Sequence, residues 1–169
     1  TALALTETLL PYCPGEVRIK WPNDVLLAGR KVAGILTELS AEGNHINHII
    51  VGVGINANQK AGDFPPELKD SATSLRRMLK RKVNRAELLR AFLYRLEREY
   101  LTYNKSGLKS AHARLKRYSA LIGERITLHS GPHLLEGRAV DIDPNGALIL
   151  ETHGHRLTIS AGEVTVAKE

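Results

Sequence analysis

Residues 84–104, "NRAELLRAFLYRLEREYLTYN", hold apolar side chains at three- and four-residue spacing for longer than any other stretch of the chain. Leu88, Leu89, Phe92, Leu93, Leu96, Tyr100 and Leu101 make one stripe, which predicts an amphipathic helix with that stripe in the core. Asn84 is placed to cap it, with Glu87 three residues on. On either side of this helical middle the period changes to two. A chain with strands, then helices, then strands again reads as α+β.

In the first half, "TALALTETLL" reads as a helix already under way at its first residue, and Pro and Gly in "YCPGE" end it. "VRIKW" alternates, with Val17, Ile19 and Trp21 on one face, and Pro22 ends it for want of an N–H. "DVLLAGRKVAGILTEL" reads as a hairpin about "AGRK". "HINHIIVGVGINAN" is a further, strongly apolar strand. Its Gly52 and Gly54, like Gly34 in the hairpin, leave bare backbone, which in a strand signals a bulge or the close approach of a ligand or another backbone. Lys20, Asp24 and Lys31 interrupt these apolar runs and can converge at one end of the sheet. Spacing leaves two readings open: a structural ion pair between Lys20 and Asp24, or a site in which lysine meets phosphate or carboxylate and the aspartate holds it or takes a proton from an amine.

"QKAGDFPPELKDSA" is a loop and "SATSLRRMLKRK" a short helix. "SGLKSAHARLKRYS" is a third helix of this middle region, with Ser106 as its expected cap. From about residue 120, "ERITLHS", "EGRAVDID", "ALILET", "HRLTIS" and "EVTVA" alternate as short strands, and "DPNG" (Asp143–Gly146) is a strong turn. Five strands in so few residues predict a small SH3-like barrel. The division falls at 1–119 and 120–169.

Composition bounds the chemistry. With 43% hydrophobic and 25% charged residues the chain can build a core. Its single cysteine, Cys13, allows neither an internal disulfide nor a cysteine-rich metal site, which suits a reducing, cytoplasmic setting. No apolar run reaches the roughly 18 residues that would span a membrane. The net charge of +6 is uneven: residues 69–117 hold 15 Lys/Arg against 4 Asp/Glu, and the remainder is acidic. Such a basic middle is either a set of solvated helix faces or a surface for acidic proteins, nucleotides or nucleic acid. His45 with His48, and His153 with His155, lack the companions of a zinc signature and read as turn and strand-end residues. There is no GxSxG, no Walker GxxxxGK[ST] and no GxGxxG.

Taken in order and spacing, "KWPND", "GRKVAGILTE" and "VGVGINAN", with "FPPEL…ATSL" and the terminal strands, resemble the biotin protein ligases over nearly the whole chain. The resemblance implies part of a class II synthetase-like mixed sheet with helices, followed by the SH3-like barrel. It implies activation of biotin with MgATP to biotinyl-5′-adenylate, then transfer to one lysine of a biotin carboxyl carrier protein. Lys31 matches the lysine that reaches the biotin carboxylate and the adenylate phosphate. Asp24 matches the aspartate that orients or deprotonates the acceptor lysine, and Lys20 the signature lysine that supports Asp24 or the phosphate. Asn56 matches the asparagine near the ATP phosphates and Mg2+. Gly34 lies where backbone passes biotin, Gly52 and Gly54 keep the next strand slim, and Phe64 packs by the adenine. The family's "GRGR" loop, its upstream catalytic strands and the N-terminal DNA-binding helix-turn-helix of some members are not in this sequence. The expectation is therefore a C-terminal portion, impaired on its own, with DNA a partner only of a parent that has that extra domain. The arginine that the family's C-terminal segment can send toward ATP is matched only by Lys168. Two further readings remain: a non-catalytic binding or assembly module, with "HIIVGVGIN" pairing at a sheet edge to make a homodimer, and a lipoate–protein ligase relative.

Overall fold

The computed structural model describes residues 1–43, 45–130 and 133–166. A short helix α1 (Ala2–Leu9) leads into a four-stranded sheet, β1 (Val17–Lys20), β2 (Asp24–Leu27), β3 (Arg30–Glu42) and β4 (His45–Ile55), in the order β1-β2-β3-β4. Every ladder is antiparallel; parallel contacts are single bridges, Ile19 with Ser119 and Lys31 with Ala72. The β2–β3 turn is the two-residue Ala28-Gly29, both at positive φ (49° and 75°), as the right-handed twist of a tight hairpin demands. After two short 3-10 turns come α2 (Leu75–Leu79), α3 (Arg85–Ser106) and α4 (Lys109–Tyr118). Asn84 caps α3 as its sequence predicts, its side chain accepting from the Ala86 and Glu87 N–H groups. Ser106 does not cap α4. It is the last residue of α3, its hydroxyl turned back to the Thr102 carbonyl.

Strands β5 (Arg125–Ser130), β6 (His133–Ile142), β7 (Leu148–Thr152), β8 (His155–Ile159) and β9 (Glu163–Val166) form a second antiparallel sheet in the order β8-β7-β6-β5-β9. Among the described residues no ladder joins β8 to β9. The "DPNG" turn is fixed by Asp143, whose carboxylate accepts from the Asn145 and Ala147 N–H groups, and Gly146 supplies φ +91°.

Two cores result. One gathers α1, the first sheet and the near face of α3, around Leu5, Leu9, Val17, Val25, Leu27, Val32, Leu75 and Phe92. The other gathers the second sheet around Leu121, Ile126, Leu128, Leu148 and Leu150, and it includes Trp21 from the end of β1. The α3 stripe departs from its reading. Leu88 and Phe92 are buried, but Leu89, Leu93, Tyr100 and Leu101 are more than half exposed. The far ends of β3 and β4 are open too: Leu36, Leu39, Ile46, Ile49 and Ile50 face outward. Helical period identifies an apolar face, but only the neighbours decide what covers it.

Helix α4 ties the two halves. His112 Nε2 donates to the Ile142 carbonyl at 2.6 Å, and Lys116 Nζ meets Asp141 Oδ1 at 2.7 Å. The bond from Lys116 holds the Asp141 carboxyl below its ordinary range, helped by the Ile142 N–H. A folded carboxyl shifted down stabilises the fold above its unfolded pKa and loses that contribution as pH falls through the acid range. Both side chains are well exposed, so screening keeps that contribution small. Asp141→Asn is expected to lower stability by no more than about 0.5 kcal/mol at neutral pH. In parallel denaturant titrations the gap between variant and wild type should close below about pH 4.

Candidate active site

The chemistry-bearing residues of "KWPNDVLLAGRKVAGIL" sit where β1, β2 and β3 meet. Asp24 opens β2, opposite Lys20 of β1 and Gly34 of β3. In a regular strand Lys31 and Gly34, three residues apart, would point to opposite faces. A bulge prevents this. Val25 pairs with Ala33 and Leu26 with Lys31, so Val32 is the extra residue, and Val32 and Ala33 are both buried. The inserted residue turns Lys31 to the face of Asp24 and Gly34. Lys31 Nζ lies 2.6 Å from Asp24 Oδ1. A methyl group on Gly34 would meet Lys31 Cε at 3.1 Å, its Nζ at 3.3 Å and Asp24 Oδ1 at 3.5 Å. Gly34 thus leaves room for the ion pair itself.

This pair corrects one reading of the sequence: the partner of Asp24 is Lys31, not Lys20. Asp24 is mostly buried and Lys31 half exposed, and Oδ1 meets the ammonium as an ion pair without a well-aligned hydrogen bond. The Lys31 backbone is held by the segment before α2, its N–H donating to the Ser71 carbonyl and its carbonyl accepting from Thr73. Asn23, for which no role was legible in the motif, ties the signature loop to β3. Its side-chain amide donates to the Ile35 carbonyl at 2.9 Å, and its own carbonyl accepts from the Ile35 N–H at 3.0 Å.

Lys20, Trp21, Asn23, Asp24 and Lys31 line one wall of a cleft of about 310 Å³, and Gly162, Glu163 and Val164 from the second sheet line the other. That opposing wall had no sequence signal, since the two segments lie far apart in the chain. Trp21 spans the junction, its indole N–H donating to the Gly146 carbonyl at 3.0 Å.

The remaining predicted residues lie around this centre. Gly54 pairs with Gly34 across β3–β4, and Gly52 with Leu36. A side chain at Gly54 would meet nothing within 4 Å and at Gly52 only Leu36, so this face is open among the described residues. The Asn56 N–H donates to the Val32 carbonyl, and its carbonyl accepts from Leu75, which fixes it just past β4, beside the bulge. Phe64 is buried under the Arg77 guanidinium, 5.5 Å from the ring centre, and is not part of the cleft wall. Lys168 lies outside the described residues. Among the described residues no three His, Cys, Asp or Glu side chains gather into a metal site, and no helix is long and apolar enough to cross a membrane.

Residues 2–56 match the Biotin/lipoate A/B protein ligase family, and residues 121–166 match the Biotin protein ligase C terminal domain. The bifunctional ligase/repressor BirA of Bacillus subtilis is 40% identical over 152 residues, 90% of this chain and 47% of that protein. The biotin--[acetyl-CoA-carboxylase] ligase of Paracoccus denitrificans is 36% identical over 175 residues, 96% of this chain and 69% of that one. The biotin protein ligase of Aquifex aeolicus in complex with biotin and ATP superposes with a TM-score of 0.86 at 28% identity, over 99% of this chain and 69% of that chain. The chain thus spans about half the length of the Bacillus relative. With both domain matches in order and the fold shared along its length, the chain belongs to the biotin protein ligase family.

Proposed function

We propose that this chain supplies the lysine-bearing wall of a biotinyl-adenylate site, in an enzyme that activates biotin with ATP and transfers it to a lysine of a biotin carboxyl carrier protein. The observation that carries this is the Lys31–Asp24 ion pair seated over Gly34. In the first step the biotin carboxylate attacks the α-phosphorus of ATP and pyrophosphate leaves. Lys31, half exposed at the cleft, turns to the phosphate and neutralises the charge that develops there. That movement releases Asp24, which then accepts the proton of the acceptor lysine as its amine attacks the biotinyl carbonyl and AMP leaves. In this reading the Lys31–Asp24 pair is exchanged for two productive contacts.

Lys20, across from Asp24 on β1, is the second cation toward phosphate. Gly34 and its partner Gly54 present bare backbone to biotin, with Gly52 continuing that surface. Asn56 faces the phosphates. Without a carboxylate cluster among the described residues, Mg2+ would be carried by the nucleotide's own phosphates and water, with Asn56 as a protein ligand. Phe64 contributes by packing under Arg77 near the segment that holds Lys31, which supports the adenine end indirectly. The C-terminal match favours biotin over lipoate. We place the division between catalytic part and C-terminal sheet at residues 119 and 120, where the chain passes from α4 to the strands of the second sheet. A homodimer through β4 is a second reading of the same chain, favoured by its place at the sheet edge and by exposed Ile46, Ile49 and Ile50.

The test is calorimetric titration of the chain with a non-hydrolysable biotinyl-5′-adenylate analogue. Saturable one-site binding is expected, and none would refute the proposal. Gly34→Ala is expected to weaken it about tenfold by displacing the Lys31 ammonium. Its melting temperature should hardly move, because the crowded atoms are the end of a flexible side chain.

A further inference from the structure

The proposed site uses Lys20 and Lys31 and leaves the basic middle, residues 69–117, without a role. Between Arg76 and Arg90 there are seven Lys/Arg and a single carboxylate, Glu87. Arg76 and Arg77 are half buried, and Arg77 is spent on the Ala72 carbonyl and the Phe64 ring. Lys80, Arg81, Lys82 and Arg85 are exposed, and among the described residues none of the four has an ion-pair partner.

This cationic turn is built rather than loose. Lys80 ends α2 in the left-handed conformation (φ 58°), which costs a non-glycine residue about 1 kcal/mol. Val83 is buried, and the Asn58 side chain grips its backbone at both ends, donating to its carbonyl and accepting from its N–H at 2.9 Å each. Asn58 stands two residues after Asn56. The start of α2 hangs on the same segment, Leu75 donating to the Asn56 carbonyl and Arg76 to that of Ala57. Ser71 and Thr73, just before α2, hold the Lys31 backbone. The four free cations are therefore fixed to the frame that carries the site.

We infer that this turn is the docking surface for an acidic protein domain that presents the acceptor lysine. The inference rests on the ligase reading. An acceptor lysine is itself a cation and must enter a site already holding Lys20 and Lys31. Carboxylates on the domain that carries that lysine, paired with this basic turn, offset the repulsion and orient the approach. Nucleic acid fits less well, since no aromatic side chain lies between Lys80 and Phe92 to stack on bases.

The experiment measures binding of the 169-residue chain to an apo biotin carboxyl carrier domain of net negative charge, at low and at physiological salt. It compares wild type with Arg81→Glu/Lys82→Glu/Arg85→Glu, and with the triple Gln variant as a milder control. All three positions are exposed, and Glu at the start of α3 suits the helix dipole. The expected result is at least about a tenfold loss of carrier affinity at low salt for the Glu variant, a smaller loss for the Gln variant and a flatter salt dependence for both. Affinity for the biotinyl-adenylate analogue should not change. Carrier binding equal to wild type would overturn the docking surface and leave the ligase reading standing. Loss of adenylate affinity in the variants would assign these cations to the nucleotide instead, and a patch-dependent preference for an oligonucleotide would also overturn the inference. A wild-type chain that binds neither adenylate nor carrier would remove both proposals.

Discussion

Lys31→Ala is expected to abolish measurable binding of the biotinyl-adenylate analogue, a loss of about a hundredfold or more. Removing one preorganised charge from the position where charge develops costs about 10²–10³ in rate, and the adenylate phosphate keeps much of that charge in the bound state. The variant also strands Asp24, whose Oδ1 is buried and has the Lys31 ammonium as its counter-charge. A truncation that removes half of a desolvated pair therefore weakens the fold as well as the site. The two effects separate by a second substitution. Lys31→Ala/Asp24→Asn should recover stability, because the stranded charge is gone, while adenylate binding stays lost. Lys31→Arg should not restore binding, since the planar guanidinium does not fit the space that Gly34 leaves for a slim ammonium arm. Wild-type affinity in Lys31→Ala, read by calorimetry, would show that this lysine is structural only.

Trp21→Ala should be among the most destabilising single substitutions in the chain. The side chain is 7% exposed, sits in the core of the second sheet and donates to Gly146 across the junction. Emptying such a site costs about 3–5 kcal/mol. Trp21→Phe keeps most of the volume and loses the indole N–H, for about 1 kcal/mol. The functional consequence follows from position. Trp21 lies between Lys20 and Asp24, so the second sheet anchors the loop that carries both. Chemical denaturation followed by far-ultraviolet circular dichroism reads the stability change in wild type and variants alike, since Trp21 is the only tryptophan of the chain and both variants lack its signal. A midpoint for Trp21→Ala close to that of wild type would contradict the packing described for it.

The sequence determined the elements and much of their punctuation. Strand alternation, the Asn84 cap, the tight Ala28-Gly29 hairpin and the Asp143–Gly146 turn are local, because each depends on dihedrals and hydrogen bonds within a few residues. It also brought Lys20, Asp24 and Lys31 toward one end of the first sheet, since hairpin geometry leaves few alternatives. Three things waited for the tertiary structure. Lys31 became the partner of Asp24 because an extra residue at Val32 reverses which face the lysine takes, and alternation alone gives the opposite answer. Trp21 left the core of its own sheet for the other one, a choice set by contacts more than a hundred residues away in sequence. The α3 stripe, apolar throughout its length, was buried only at Leu88 and Phe92, where α1 and the first sheet lie against it. Periodicity records which face of an element is apolar, but a side chain's partner across a bulge, a junction or a packing interface is fixed only when the other surface arrives.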